Sequence, residues 1–241
     1  MKKCLSLLMI FILATSVCFT GCNPVSNNTT ETTQATENKL KPADSHDMLA
    51  DYFNDKLEGD NPFYGVWEIE GISYISFAFR NDGLAEMIMG SEGNFTQLKI
   101  DEKKKTFEVS FLVGLTGTYN YKFSKDKETI TLTQKNAKTV LKKVKNFDIV
   151  PEAPEKAKID KKLAGWWKSD SGLVYYFGND GIMYSNSIIF ETFYTYETEN
   201  GMIHSVYDYN GDVKDSFGYK FTKKGKLKIK DNIYSPYNPF E

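Results

Sequence analysis

The sequence predicts an all-β protein: two tandem small antiparallel meander barrels, preceded by one short helix. Three observations carry this. Apolar residues recur at every second position in short runs. The second half of the chain repeats the first. A charged, proline-bearing segment separates the two halves. Period two with one apolar parity marks a strand with one face buried. Ile75, Phe77 and Phe79 alternate with Tyr74, Ser76 and Ala78, and Phe107, Val109, Phe111 and Val113 alternate with Glu108 and Ser110. Tyr119, Tyr121 and Phe123 alternate with Asn120 and Lys122. Clusters of turn residues separate these runs, as in a meander.

The repeat is read directly. Gly65-Val66-Trp67 matches Gly165-Trp166-Trp167, Phe79 to Gly83 matches Phe177 to Gly181, and Tyr121-Lys122-Phe123 matches Tyr219-Lys220-Phe221. The last two pairs of segments both stand 98 residues apart, and the tryptophans Trp67 and Trp167 stand 100 apart. The shared Asn-Asp-Gly turns set the strand register. A two-residue loop would place Glu86 opposite Phe79. A three-residue loop places Met87 opposite Phe77 and Met183 opposite Phe177, with Gly83 and Gly181 in the left-handed position of a bulged turn. The second register keeps one face apolar, and a one-residue slip would turn that face to solvent. Residues 145–162, with Pro151 and Pro154, read as an interdomain linker between a first β-domain at 60–144 and a second at 163–241.

The N-terminal segments read differently. Residues 45–59 form the one expected helix, with Ser45 as cap, Gly59 as stop, and Met48, Leu49, Tyr52, Phe53 and Leu57 on a face packed against the first β-domain. Residues 22–44 carry several Thr and Asn and almost no apolar side chains, and read as a disordered tether. Met1-Lys2-Lys3 followed by the uncharged stretch Cys4–Thr20 reads as a secretory signal over residues 1–21. The stretch is short for a membrane span, which needs about 20 residues. Its end, Phe19-Thr20-Gly21-Cys22, resembles the bacterial lipobox, with Phe19 where Leu is usual. That resemblance implies lipidation of Cys22, which would place the protein outside the cytoplasm, anchored to the cell membrane. Two acyl chains on one cysteine suffice for stable anchoring. Cys4 and Cys18 leave with the signal, so the folded part has neither disulfide nor thiol nucleophile.

Each copy opens with Gly-x-Trp at the start of a meander, at Trp67 and Trp167. In the second copy Ile159 to Leu163 precedes it as a short helical turn. This resembles the lipocalin and wider calycin pattern, and the small lipocalin-like domains of unknown function found in lipoproteins of Gram-positive gut bacteria. The resemblance implies a packing role at the closed barrel end for Trp67 and Trp167. It departs from the family in lacking an arginine near the last strand, since the only arginine is Arg80.

The composition narrows function. The net charge is −2, without the basic excess of a nucleic-acid binder, and the chain is 41% hydrophobic, enough for a core. The only histidines are His46 and His204. No catalytic, cofactor or metal site is read. His204 is expected as an outward strand residue. Asp208 to Asp212 reads as a hairpin turn, because its glycine comes early for a calcium loop and no twelfth-position glutamate follows. Glu191 and Glu197, the imaginable acid pair of a hydrolase, are expected on a solvated outer face. A hairpin centred on Ser171 pairs Trp167 with Tyr175 on the core side and Trp166 with Tyr176 on the outer side. Exposed Trp166 and Tyr176 are the candidate surface for binding a glycan or protein; the alternative is packing against the linker, the other domain or the tail Tyr234–Phe240. The expectation is a surface-anchored, non-enzymatic binding module for a small apolar ligand or an envelope partner. Glycan or protein recognition, or a structural spacer, is the second reading, and a carboxylate-based hydrolase is the third.

Overall fold

Short alternating runs separated by turns form strands, and the strands set the architecture. The computed structural model describes residues 45–240 except 112–113, 188 and 209–211. The expected signal peptide, Cys22 and the tether lie outside the described residues. Helix α1 spans Ser45–Asn54 and runs into a 3-10 turn at Asp55–Leu57. The first repeat holds β1 (Gly65–Ile69), β2 (Ser76–Phe79), β3 (Leu84–Met89), β4 (Glu92–Gln97), β5 (Lys99–Asp101), β6 (Thr106–Ser110), β7 (Thr116–Phe123), β8 (Thr129–Gln134) and β9 (Ala137–Lys143). The second holds β10 (Gly165–Ser169), β11 (Val174–Phe177), β12 (Ile182–Asn186), β13 (Phe190–Glu199), β14 (Met202–Asp208), β15 (Asp212–Phe221), β16 (Leu227–Ile229) and β17 (Asn232–Pro236).

In the second repeat each strand pairs antiparallel with the next and β17 returns to β10. Eight strands thus close into a barrel, which removes the free edges that invite aggregation. The first repeat follows the same order, with β1 pairing both β2 and β9. Its counterpart of β13 is divided at Leu98 into β4 and β5, and the Leu98 amide bonds to Gly83 O at 2.9 Å. The Asn-Asp-Gly loops hold three residues. Arg80 N donates to Leu84 O at 3.0 Å and Gly178 N to Ile182 O at 2.8 Å, and the registers are Phe77↔Met87 and Phe177↔Met183. Gly83 (φ 83°) and Gly181 (φ 91°) supply the left-handed step, as the sequence required.

Three apolar cores result. One fills the interior of the first repeat around Trp67, Phe77, Phe79 and Phe107. A second fills the second barrel around Trp167, Phe177, Tyr196 and Ile203. Both tryptophans act alike: Trp67 Nε1 donates to Phe63 O and Trp167 Nε1 to Leu163 O, each at 2.7 Å. The third core is a seam between the outer faces of the repeats. Val66, Ala78 and Ile88 of the first meet Trp166, Tyr176, Tyr184 and Phe193 of the second. Small residues of the first repeat hold the positions that aromatics hold in the second, Val66 where Trp166 stands and Ala78 where Tyr176 stands.

Two neighbours complete the seam. Leu49 and Phe53 of α1 are buried in it, so the helix packs between the repeats rather than on the first alone. Ser45, expected as a cap, instead places its hydroxyl 3.0 Å from that of Tyr176. Ile149 and Val150, within the segment read as a linker, are buried there too. Strand pairing also crosses the seam, where β4 meets β13 with Asn94↔Phe190, Gly93↔Glu191 and Glu92↔Thr192. Gly93 and Glu191 occupy equivalent repeat positions, so this pair sits on a local pseudo-twofold axis.

Candidate functional site

The outer-face parity of Trp166 and Tyr176 is as expected, and of the two expectations for that face, packing against the linker segment, the other repeat and the tail holds and exposure does not. Trp166 is 5% and Tyr176 8% exposed. Trp166 packs against Tyr52 at 5.3 Å, Tyr176 at 5.0 Å, Tyr184 at 5.6 Å and Phe240 of the tail at 6.2 Å between ring centroids. The pair is therefore not a binding surface. The outer face of one barrel becomes an interior when a second barrel, a helix and a tail cover it.

The same correction applies to Glu191. It is fully buried, whereas Glu197 is exposed. Glu191 lies in an ionic cluster that the sequence reading did not assemble. Lys56, from the 3-10 turn after α1, donates to Glu191 Oε2 at 3.0 Å. Tyr184 Oη donates to the same oxygen at 2.9 Å and Asn186 Nδ2 at 3.3 Å. Arg80, 4% exposed, lies between Glu191 Oε2 at 3.8 Å and Glu86 Oε2 at 3.4 Å, and its Nε also donates to Asp82. Glu86 is fully buried. Gly93 makes room for it, since a Cβ at Gly93 would stand 1.6 Å from Glu86 Oε1. Burial pushes the Glu86 carboxyl up to about 8, the Glu191 charge adds to the rise, and Arg80 and Lys56 oppose it. Two cations then face Glu191 and Asp82, and a protonated Glu86 leaves the cluster neutral. A dry interface tolerates charge only when it is matched in this way. Oε1 of Glu86 and Oε1 of Glu191 have no hydrogen-bond partner among the described residues.

Glu86 and Glu191 are sealed from solvent by the seam, whereas Asp82 stands at its exposed edge. One sequence signal pointed to the cluster. Glu86 stands in a strand on the face opposite Ala85 and Met87, beside the sole arginine, Arg80. A charged pair on an outer face reads as solvated unless a partner for that face is known.

The second barrel offers a different environment. Trp167 packs on Phe221 at 5.9 Å and fills the end where the Asn179-Asp180-Gly181 loop lies. Toward the opposite end, beyond the turn at Ser171–Gly172, the inward positions are Tyr175, Ser185, Tyr194, Ser205 and Tyr207. Tyr175, Ser185, Tyr194 and Tyr207 are only partly buried. Ser185 Oγ and Tyr194 Oη lie 3.1 Å apart, and the Tyr194 and Tyr207 rings meet edge to face at 5.3 Å. Tyr175 packs on Phe217 and Tyr234. Burial raises the phenols of Tyr175 and Tyr194, with Asp215 adding a smaller push, so both stay protonated and able to donate. Nothing in the alternation of β11 to β14 separated this mouth from ordinary core, because Tyr satisfies the apolar parity.

On the barrel's outer side a groove of about 440 Å³ runs between Pro154–Ala157 and β13–β15. His204 stands there as the outward residue expected, with Nδ1 2.9 Å from Ser216 Oγ. Glu197 is its other cross-strand neighbour. Among the described residues no group of three or more His, Cys, Asp or Glu is placed to hold a metal ion, and no helix is long and apolar enough to cross a membrane. The Asn-Gly portion of the calcium-like stretch lies outside the described residues.

Fold and geometry define a class: an all-β barrel protein built from an internal repeat and locked by a buried ionic seam. No family model matches the chain, and no curated protein matches it.

Proposed function

We propose that this protein is a lipid-anchored, extracytoplasmic binding module without catalytic activity, in which the second barrel's mouth takes a small ligand. The observation that carries this reading is the asymmetry of that barrel. One end is filled by Trp167 and Phe221, while the other is lined by partly exposed Tyr175, Tyr194 and Tyr207. Binding sites of closed barrels lie in their mouths. The anchor rests on the lipobox resemblance at Cys22, and the tether at 22–44 would hold the barrels off the membrane. The resemblance to lipocalin-like domains agrees with a carrier or receptor role. A hydrolase built on Glu191 and Glu197 is disfavoured, since Glu191 is sealed in the seam while Glu197 is exposed on the barrel's outer side.

Native mass spectrometry of the protein after incubation with extract of its source cells tests the binding claim. A retained small-molecule mass is expected, and a bare protein mass under gentle conditions overturns it. Cys22→Ser should move the protein from the membrane to the soluble fraction; persistence in the membrane overturns the anchor.

A further inference from the structure

The two repeats close the same ring of strands with different linings, and strand register aligns them position by position. Phe77 stands where Tyr175 does, Met87 where Ser185 does, and Val109 where Ser205 does. Phe111 stands where Tyr207 does, and Leu141 where Tyr234 does. At these five inward positions an apolar side chain of the first repeat is replaced by a hydroxyl-bearing one in the second, while Phe217 replaces Tyr119 in the reverse sense. The fold does not need these hydroxyls, because the first repeat packs without them. An interior hydroxyl is costly unless it is hydrogen-bonded. Ser205 is 1% exposed, and its Oγ has no partner among the described residues.

Resting on the reading of this mouth as a binding site, we propose that its ligand is a carbohydrate group of monosaccharide size, neutral and rich in hydroxyls. The chemistry fits on three counts. The partly exposed ring of Tyr207, with that of Tyr175 beside it stacked on Phe177, offers an aromatic surface to the C–H face of a sugar ring. The Ser185–Tyr194 pair and Ser205 Oγ provide neutral groups that both donate and accept. Asp215, on the inward parity of β15 near the rim, accepts from ring hydroxyls. An apolar ligand would leave the buried Ser205 Oγ without a partner and would make no use of the Ser185–Tyr194 hydroxyl pair.

The test uses the full-length protein in nanodiscs and ligand-observed NMR. The probes are the methyl glycosides of glucose, galactose and N-acetylglucosamine, with cyclohexanol as a ring-sized apolar comparison. At least one glycoside should bind and cyclohexanol should not. A variant that removes three of these hydroxyls, Tyr175→Phe with Ser205→Ala and Tyr207→Phe, should weaken the glycoside at least tenfold. The single variants Ser205→Ala and Tyr207→Phe should each weaken it by a smaller factor, which keeps the test informative if the triple variant misfolds. Tighter binding of an oligosaccharide ending in the same sugar would identify a surface glycan as the source, and equal binding a free sugar; both support the carbohydrate class. Binding of cyclohexanol without any glycoside overturns that class and leaves the binding module standing. Binding of neither overturns it as well, and the mass-spectrometric result then decides whether the mouth binds anything. Unchanged glycoside binding in the triple variant overturns the assignment of the site.

Discussion

Glu86 is the residue on which the seam's chemistry turns. Its carboxyl is raised from 4.5 to about 8 in the native state. Between those values the folded protein holds a proton that the unfolded chain has released, so stability falls as pH rises from 4.5 toward 8 and levels off above. Urea melts at pH 5, 7 and 9 should show this decline, and Glu86→Gln should flatten it. A decline that persists in the variant would assign it to other groups. Gly93 offers a second test. Gly93→Ala forces the Glu86 carboxyl from its place and should cost about 1–3 kcal/mol, the usual range for overpacking. The cost should shrink in a Glu86→Ala background, and a double-mutant cycle measures the difference.

At the scale of elements, α1 contributes three buried residues to the seam, Ser45, Leu49 and Phe53, and none to the core of either repeat. Phe53 is 1% exposed and meets Phe193 and Phe147. Phe53→Ala should therefore lower stability by about 3–5 kcal/mol, the range for a large aromatic removed from a core. Asp51 on the exposed side of the same helix should tolerate alanine within about 0.5 kcal/mol. Equal effects at the two positions would mean that the helix does not hold the seam. The hairpins are simpler, since their register follows from the glycine in each Asn-Asp-Gly loop and could be read in advance. The interruption of the first repeat at Leu98, where its counterpart β13 runs unbroken, could not.

At the scale of the molecule, the seam couples the repeats. The described residues fall in one compact unit, and β4–β13 pairing, Ile149, Val150 and α1 all span the repeats. The chain has three tryptophans, Trp67 in the first interior, Trp167 in the second and Trp166 in the seam. Single-tryptophan variants followed by fluorescence in urea should unfold with coincident midpoints, the mark of one cooperative unit. Separate midpoints for Trp67 and Trp167 would show that each repeat folds independently.

The sequence by itself determined the strands, their parity, the loop register and the duplication, because these depend on neighbours two residues away and on the backbone needs of single turns. It placed Trp67 and Trp167 in the cores and paired Trp166 with Tyr176 correctly. Only the tertiary structure decided what covers an outer face. Alternation records which side of a strand is apolar, and Trp166, Tyr176 and Glu191 sit on sides whose cover includes residues far along the chain, Tyr52 and Phe240 for Trp166, Ser45 for Tyr176 and Lys56 for Glu191. Water and a second sheet leave the same period-two trace, so burial there followed from the way the repeats meet and not from either repeat alone.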